Sequence, residues 1–180
     1  MKPILEVTRL ELAYRWEDKW IRAVGPVDFD LIEGEALGLI GESGAGKSTL
    51  GLAILGLLGV KGGRCLRGKI ATALRPHDIA YVPQDPLAAL DPLFTLESLV
   101  RETGSGSAEI ARAFSRVRLP IEKLKLGSYP HEWSGGMRQR FVIALALLRR
   151  PKLIVADEPT SSLDVTLQAE VMRLFRDIQA

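Results

Sequence analysis

The stretch Gly41-Glu42-Ser43-Gly44-Ala45-Gly46-Lys47-Ser48-Thr49 decides the fold class of this chain. It matches in full the pattern G-x-x-x-x-G-K-[ST] of a phosphate-binding loop. The loop follows an apolar run at residues 36–40, which predicts a buried strand, and it precedes a run at residues 47–58 that predicts a helix. A strand, a glycine-rich turn and a helix start present backbone N–H groups and a positive dipole end to an anion. We therefore predict an α/β fold with a phosphate site at this loop.

Two side chains of the loop have predicted roles of their own. The Lys47 ammonium is expected to reach the β- and γ-phosphates of a nucleotide, and the Ser48 hydroxyl to bind Mg²⁺. The alternative is an ordinary glycine-rich turn that carries a surface lysine. The residues expected to bind the nucleotide here are Gly41, Glu42, Ser43, Gly44, Ala45, Gly46, Lys47, Ser48 and Thr49.

Composition places the chain among ordinary globular proteins. Its 180 residues are 47% hydrophobic and 26% charged, with 24 basic and 22 acidic side chains and a net charge of +2. This balance gives no support for nucleic-acid binding, and the single Cys65 excludes an internal disulfide framework. No secretory signal is visible, and the longest apolar run, at residues 141–148, is far shorter than the roughly 20 residues of a spanning helix. We therefore expect the chain to reach a membrane only through a partner.

Hydrophobic periodicity divides the chain into three stretches within one predicted domain. Residues 1–85 are expected to hold a β subdomain and the phosphate-loop part of the core, residues 86–133 a small helical insertion, and residues 134–180 a helix, a strand and a final helix. Residues 5–14 predict a strand whose alternation slips near Thr8, and residues 59–68 predict a loop. The other predicted elements are strands at 27–32, 70–74, 79–83 and 153–156, and helices at 95–101, 108–117, 136–150 and 165–179.

The apolar strand at residues 153–156 ends in two acids, Asp157 and Glu158. Ligands of nucleotide-binding sheets lie at the carboxyl ends of strands, so we expect Asp157 to bind Mg²⁺, directly or through water, and Glu158 to polarise the attacking water. Adjacent carboxylates are costly unless a cation offsets them, and Mg²⁺ with a nucleotide supplies one. A strand end of this kind is otherwise often just solvated, but the phosphate loop favours the functional interpretation.

A second anion site is one interpretation of Ser134-Gly135-Gly136-Met137-Arg138-Gln139, which opens a predicted helix. A serine hydroxyl followed by unhindered backbone N–H groups at a helix start suits an anion. The same residues also suit a simple N-cap, and the residues alone do not decide between the two.

The order of these motifs resembles the ATP-binding subunits of ABC transporters over nearly the whole chain. The phosphate loop is followed by Gln84, by the segment that begins at Ser134, by Asp157-Glu158-Pro159-Thr160 and by Ser162-Leu163-Asp164. The resemblance implies a P-loop NTPase fold with a RecA-like parallel sheet core, an N-terminal antiparallel β subdomain and a small helical insertion. A narrower resemblance, to the oligopeptide/dipeptide/nickel importer branch, rests on Gln84-Asp85-Pro86, Leu90-Asp91-Pro92, Tyr129-Pro130-His131-Glu132 and Leu163-Asp164-Val165-Thr166-Leu167-Gln168-Ala169.

The resemblance implies a role for each matching residue. Gln84 would couple Mg²⁺ and the attacking water to the helical insertion, and together with Lys47 and Glu158 it makes up the implied catalytic set. Asp164 would link two sites across a dimer of subunits. Residues that would contact ATP held by the opposite subunit are Ser134, Gly135, Gly136 and Gln139. The implied Mg²⁺ ligands are Ser48, Gln84 and Asp157.

An aromatic ring that stacks on adenine is also implied. Tyr14 is the first candidate, although it also suits a hairpin core, and Trp16 or Trp20 could replace it.

Two departures from the family pattern stand out. Trp133 precedes the Ser134 segment where the family usually carries leucine, and we expect no loss from it. The family also has a further strand after the last predicted helix, ending in a histidine near the γ-phosphate, whereas the only histidines here are His77 and His131. We therefore expect a C-terminally truncated subunit that binds nucleotide but turns it over inefficiently alone.

The resemblance predicts an ATP-hydrolysing subunit that drives import of a peptide or metal-chelate solute. Its expected partners are ATP with Mg²⁺, a second ATP-binding subunit and integral-membrane permease subunits, with no nucleic acid, at the cytoplasmic face of the inner or plasma membrane. The alternatives are a soluble ABC ATPase that acts on DNA, ribosomes or cluster assembly, and a truncated fragment that does not efficiently hydrolyse ATP.

Overall fold

The structure is a computed structural model that describes residues 2–119, 125, 127–161 and 163–179. The chain forms two compact units, one up to Ile79 and one from Ala80 onward. No helix among the described residues is both long and apolar enough to cross a membrane. The elements in chain order are β1 (Leu5–Trp16), β2 (Lys19–Leu31), α1 (Lys47–Ile54), β3 (Gly63–Thr72), β4 (Ile79–Val82), α2 (Leu96–Arg101), α3 (Ser107–Arg116), α4 (Gly135–Leu148), β5 (Leu153–Ala156) and α5 (Val165–Gln179).

The first unit is built on an antiparallel sheet with the strand order β2-β1-β3. Val7, Leu10 and Leu12 of β1 are all buried although the spacing from Val7 to Leu10 breaks a strict alternation. The pairing with β2 shifts register between Val7 and Leu10, and Arg9 has a left-handed φ of 44°. One extra residue in a strand returns the next side chain to the same face. The slip predicted near Thr8 is therefore confirmed as a bulge in β1.

Gly68 of β3 packs directly on this bulge. A Cβ at Gly68 would lie 2.3 Å from the carbonyl oxygens of Thr8 and Arg9, and its φ is +80°. Only glycine meets both demands. The loop predicted at residues 59–68 is consequently wrong from Gly63 onward, because β3 begins there. Glycine is a poor strand former alone, but pairing with β1 overrides that local preference.

The largest departure from prediction is the apolar segment at residues 36–40. It has no regular secondary structure, and Leu37, Leu39 and Ile40 are exposed, Ile40 at 100%. The prediction of a buried strand here is wrong. A strand is buried by neighbouring strands, and in the part of the chain that the structure describes no strand pairs with this segment.

The second unit contains the parallel pair β4–β5 and the helices α2 to α5. Its core is centred on Phe141 of α4, which is fully buried. The rings of Phe114 and Trp133 meet Phe141 edge-on, with ring centroids 5.5 Å and 5.6 Å away. The predicted helices at 95–101, 108–117, 136–150 and 165–179 and the strand at 153–156 are confirmed, with ends displaced by no more than two residues. The helix predicted at 47–58 is shorter and ends at Ile54.

Candidate functional site

The phosphate loop runs directly into α1. Gly46, at the N-cap, has φ 87° and ψ 14° and offers no side chain to the helix end, and the first turn of α1 carries no acidic residue. The positive end of the helix dipole is therefore not neutralised by an acid of that first turn. This is the local geometry that favours an anion.

Lys47 turns back onto the loop instead of extending away from it. Its Nζ donates hydrogen bonds to the carbonyl oxygens of Gly41, at 2.9 Å, and Glu42, at 3.0 Å. The loop is closed further by the Ala45 N–H, which donates to the Glu42 carbonyl at 3.1 Å. The ammonium charge and the start of α1 are thereby held beside one another, as a phosphate cradle requires.

Gly46 also fixes the loop against the sheet. A Cβ at this position would lie 2.4 Å from the Ala23 carbonyl oxygen and 2.7 Å from Cγ2 of Val24, both on β2. Gly44 has a similar φ of +82°, but a Cβ there would meet nothing within 4 Å. The loop is thus anchored to β2 at Gly46 and is open at Gly44.

In the second unit, the acids follow β5 as the sequence predicts. The Asp157 N–H donates to the Val82 carbonyl at 2.9 Å, which continues the β4–β5 pairing and places this carboxylate at the end of the sheet. The Tyr81 hydroxyl donates to Asp157 Oδ2 at 3.2 Å. Burial, followed by the neighbouring Asp157 charge and this hydrogen bond, raises the pKa of Tyr81 to about 12. The phenol therefore stays a protonated donor at neutral pH.

Glu158 occupies a constrained backbone position. Its φ of 42° is left-handed, a conformation that costs a non-glycine residue roughly 1 kcal/mol or more. The N–H and the hydroxyl of Ser161 each donate to the Glu158 carbonyl at 3.1 Å. On the side chain, Gln84 Nε2 donates to Glu158 Oε2 at 3.0 Å. The structure therefore brings together Gln84 and Glu158, which stand far apart in the sequence.

Ser134 caps α4, with its hydroxyl accepting a hydrogen bond from the Met137 N–H at 3.3 Å. Gly136 lies against α5, where an added Cβ would come within 3.0 Å of Leu167 Cδ1. Gln139 is fully buried, and neither polar atom of its side chain has a hydrogen-bond partner among the residues that the structure describes. A contact between Gln139 and a nucleotide would require this side chain to leave the core.

Asp164 is the N-terminal cap of α5. Its Oδ1 accepts hydrogen bonds from the N–H groups of Thr166 and Leu167, both at 3.0 Å. The preceding loop is held from the same helix, because Gln168 Nε2 donates to the carbonyls of Thr160, at 3.1 Å, and Leu163, at 3.0 Å.

The three aromatic candidates for adenine stacking differ in their surroundings. Tyr14 is half-buried and lies over Gly63, where an added Cβ would be 2.9 Å from Tyr14 Cε1. One face of the Trp20 ring is covered by Arg64, whose guanidinium carbon lies 3.9 Å from the ring centroid. Trp16 is the most exposed, at 71%. The adenine-stacking role of each stays a prediction.

The residues predicted to bind Mg²⁺ carry oxygen donors of the kind that a hard divalent cation prefers. Within the described ranges, no group of three or more His, Cys, Asp or Glu side chains could hold a metal ion. Mg²⁺ typically takes one or two carboxylates and completes its shell with phosphate oxygens and water. The Asp157 carboxylate, the Ser48 hydroxyl and the Gln84 amide oxygen are donors of the kind that Mg²⁺ prefers.

Comparison with known families decides the identity of the chain. The family model described as ABC transporter matches residues 24–161, well over half of the sequence. The chain belongs to the ABC transporter family of ATP-binding proteins. The match includes the phosphate loop, Gln84, the Ser134 segment and Asp157-Glu158.

Curated relatives of this ABC protein are named as peptide transport components. It is 38% identical to the oligopeptide transport ATP-binding protein OppD of Haemophilus influenzae, over 99% of this chain and 62% of that protein. It is 37% identical to the dipeptide transport ATP-binding protein DppD of Bacillus subtilis, over 99% of this chain and 60% of that protein. The chain thus spans somewhat less than two thirds of the length of these relatives.

Solved structures show the same ABC fold. The cbiO1 protein of Clostridium perfringens, part of an ABC transporter complex, superimposes with a TM-score of 0.80 and 26% identity, covering 99% of this chain and 74% of that one. A dimeric ATP-binding cassette bound to ADP and Pi superimposes with a TM-score of 0.74 and 25% identity, covering 97% and 82% of the two chains.

Sequence reasoning missed two residues that hold the predicted site of this ABC protein. Tyr81 lies on the short strand β4, and only the pairing of β4 with β5 brings it to Asp157. Gln168 belongs to a quoted family motif, but its hydrogen bonds to the loop at residues 160–163 depend on how α5 packs. Neither contact leaves a periodic signal in the sequence.

Proposed function

We propose that this chain is the ATP-binding and ATP-hydrolysing part of a subunit that powers ABC-type import of a peptide or a metal chelate. The observation that supports ATP binding most directly is the Lys47 ammonium, held over the loop by the Gly41 and Glu42 carbonyls at the start of α1. The peptide class is supported by relatives that are named for oligopeptide transport, dipeptide transport or peptide import and are 37–40% identical.

The phosphates would lie along residues 41–49, with Lys47 and the backbone N–H groups neutralising charge that builds up in the transition state. Ser48, Gln84 and Asp157 would hold Mg²⁺, which shields the phosphate oxygens when it is bound. Glu158 would orient and polarise the attacking water. Its hydrogen bond from Gln84 ties that carboxylate to the start of the helical stretch, the part expected to contact permease subunits.

The proposed assembly is a head-to-tail pair of ATP-binding subunits at the cytoplasmic face of the membrane, bound to integral-membrane permease subunits. Ser134, Gly135 and Gly136 would contact ATP held by the opposite subunit. Asp164 would join the two sites. Support comes from its place at the start of α5, where Gln168 fixes the neighbouring loop, and from the dimeric cassette that shares the fold.

The first experiment is thermal unfolding of the purified chain with and without MgATP, with Lys47→Ala as the control. At a ligand concentration of 100 times Kd, binding stabilises the folded state by about 2.7 kcal/mol. We expect MgATP to raise the midpoint of the wild type and to leave Lys47→Ala unchanged. An equal rise in both proteins, or none in either, would contradict nucleotide binding at this loop.

A second candidate is nucleotide binding without efficient turnover. Steady-state ATPase assays on the wild type and Glu158→Gln separate the two. A rate that disappears in Glu158→Gln supports hydrolysis by this chain, whereas binding with no Glu158-dependent rate supports the second candidate.

A further inference from the structure

Tyr81 is notable because its hydroxyl donates a hydrogen bond to Asp157, one of the two acids that follow β5. It lies on β4, the strand paired with β5, and donates to Asp157 Oδ2 at 3.2 Å. The Asp157 backbone is fixed as well, since its N–H donates to Val82, the next residue after Tyr81. Backbone and side chain of Asp157 are thus both held by the same two consecutive residues of β4.

A carboxylate on a strand end normally rotates among several orientations, and a metal ligand gains affinity when its orientation is fixed beforehand. A phenol is well suited to this task. It donates one hydrogen bond, adds no charge that would repel a cation, and remains protonated across the physiological pH range.

We propose that Tyr81 is a positioning residue for Asp157, orienting this carboxylate toward the Mg²⁺ that accompanies ATP. The role rests on the proposed function, in which Asp157 serves that ion. Tyr81 itself touches neither the metal nor the nucleotide. The hydroxyl of Tyr81 thereby raises the affinity of the protein for ATP with Mg²⁺ relative to its affinity for ATP alone.

The test is calorimetric titration of the full chain with ATP, once with excess Mg²⁺ and once with EDTA. The ratio of the two affinities is the magnesium gain. We expect Tyr81→Phe, which removes only the hydroxyl, to lower the magnesium gain about tenfold and to leave the affinity in EDTA unchanged. The matched control is Tyr129→Phe, at an exposed tyrosine whose ring stacks on His131, and it should change neither affinity.

A double-mutant cycle separates positioning from a general effect on the fold. In an Asp157→Ala background the carboxylate that Tyr81 orients is absent, and we expect Tyr81→Phe to cause no further change in the magnesium gain. Urea unfolding without nucleotide gives an independent readout, in which Tyr81→Phe should shift the midpoint of the wild type more than that of Asp157→Ala.

Each other outcome overturns the proposal. A wild type with no magnesium gain would refute the proposed function and this inference with it. A normal wild-type gain that Tyr81→Phe leaves intact would refute the role of Tyr81 alone. Weaker binding in EDTA, equal midpoint shifts in both backgrounds, or loss of cooperative unfolding in Tyr81→Phe would assign the hydroxyl to the fold instead.

Discussion

Alanine at Gly46 tests whether the phosphate loop is fixed by its contact with β2. Gly46→Ala places a methyl group 2.4 Å from the Ala23 carbonyl oxygen and 2.7 Å from Val24 Cγ2, in a backbone with φ +87°. Gly44→Ala is the matched control, because its φ of +82° is nearly the same and its methyl group would meet nothing within 4 Å. The two variants share the backbone strain and differ in the steric conflict.

The magnitudes follow from those two contributions. Left-handed φ costs an alanine about 1–2 kcal/mol relative to glycine, and forced overpacking adds about 1–3 kcal/mol. We therefore expect Gly44→Ala to lower the free energy of unfolding by about 1 kcal/mol and Gly46→Ala by about 3 kcal/mol. For a chain of this size each 1 kcal/mol corresponds to about 2–4 °C in Tm.

The assay is urea and thermal unfolding of both variants, followed by ATP titration of whichever variant remains folded. Gly46→Ala should also lose ATP affinity, because relief of the clash moves the start of α1 and with it Lys47. Equal destabilisation by the two substitutions, within about 0.5 kcal/mol, would refute the anchoring of the loop on β2. So would a Gly46→Ala variant that binds ATP as tightly as the wild type.

Three further predictions concern the second unit. Gln139→Leu should raise the free energy of unfolding by about 1–2 kcal/mol, since it removes two buried polar atoms that have no hydrogen-bond partner within the described part of the chain; a loss of stability in urea unfolding would contradict this. Trp133→Phe removes the 2.7 Å hydrogen bond from Nε1 to Ser128 Oγ and part of a buried ring, so it should cost about 2 kcal/mol or more; a cost below about 1 kcal/mol in urea unfolding would contradict this. The pKa of Tyr81 is raised from 10.0 to about 12, so the phenol of the unfolded chain loses its proton at a lower pH than that of the folded chain. The contribution of Tyr81 to the free energy of unfolding is therefore intact below pH 10 and is lost as the pH rises toward 12. The free energy of unfolding of Tyr81→Phe should fall less than that of the wild type between pH 10 and pH 12. Parallel stability curves for the two proteins would contradict the raised pKa of Tyr81.

The helices were predictable because their signals are local. Residues 165–179 carry an apolar stripe of helical period, and α5 has those bounds. The bulge in β1 could also be predicted, since the step from Val7 to Leu10 breaks an otherwise regular alternation of apolar residues. Only an inserted residue keeps both of these side chains buried on the same face of the strand. In both cases the buried positions follow from the order of apolar residues within one helix or one strand.

Contacts that depend on strand pairing left no such signal. Residues 63–68 contain glycines and arginines and resemble a loop, yet Gly68 is required there by the carbonyl oxygens of a bulge far earlier in the chain. Tyr81 meets Asp157 only because β4 and β5 are neighbours. The sequence therefore supports a prediction of the residues that carry the chemistry, whereas the side chains that hold those residues in position could not be predicted from it.

The exposed segment at residues 36–40 clarifies what positions the phosphate loop in this structure. A loop between a strand and a helix has two potential anchors, and here the entering segment is unpaired within the described residues. The remaining anchor is the helix side, where Gly46 packs on β2 and Lys47 binds back to Gly41 and Glu42. These contacts tie the position of the Lys47 ammonium to α1 and β2. Substitutions on β2 at Val24, whose Cγ2 atom lies closest among side-chain atoms to the position of a Cβ on Gly46, should accordingly lower nucleotide affinity.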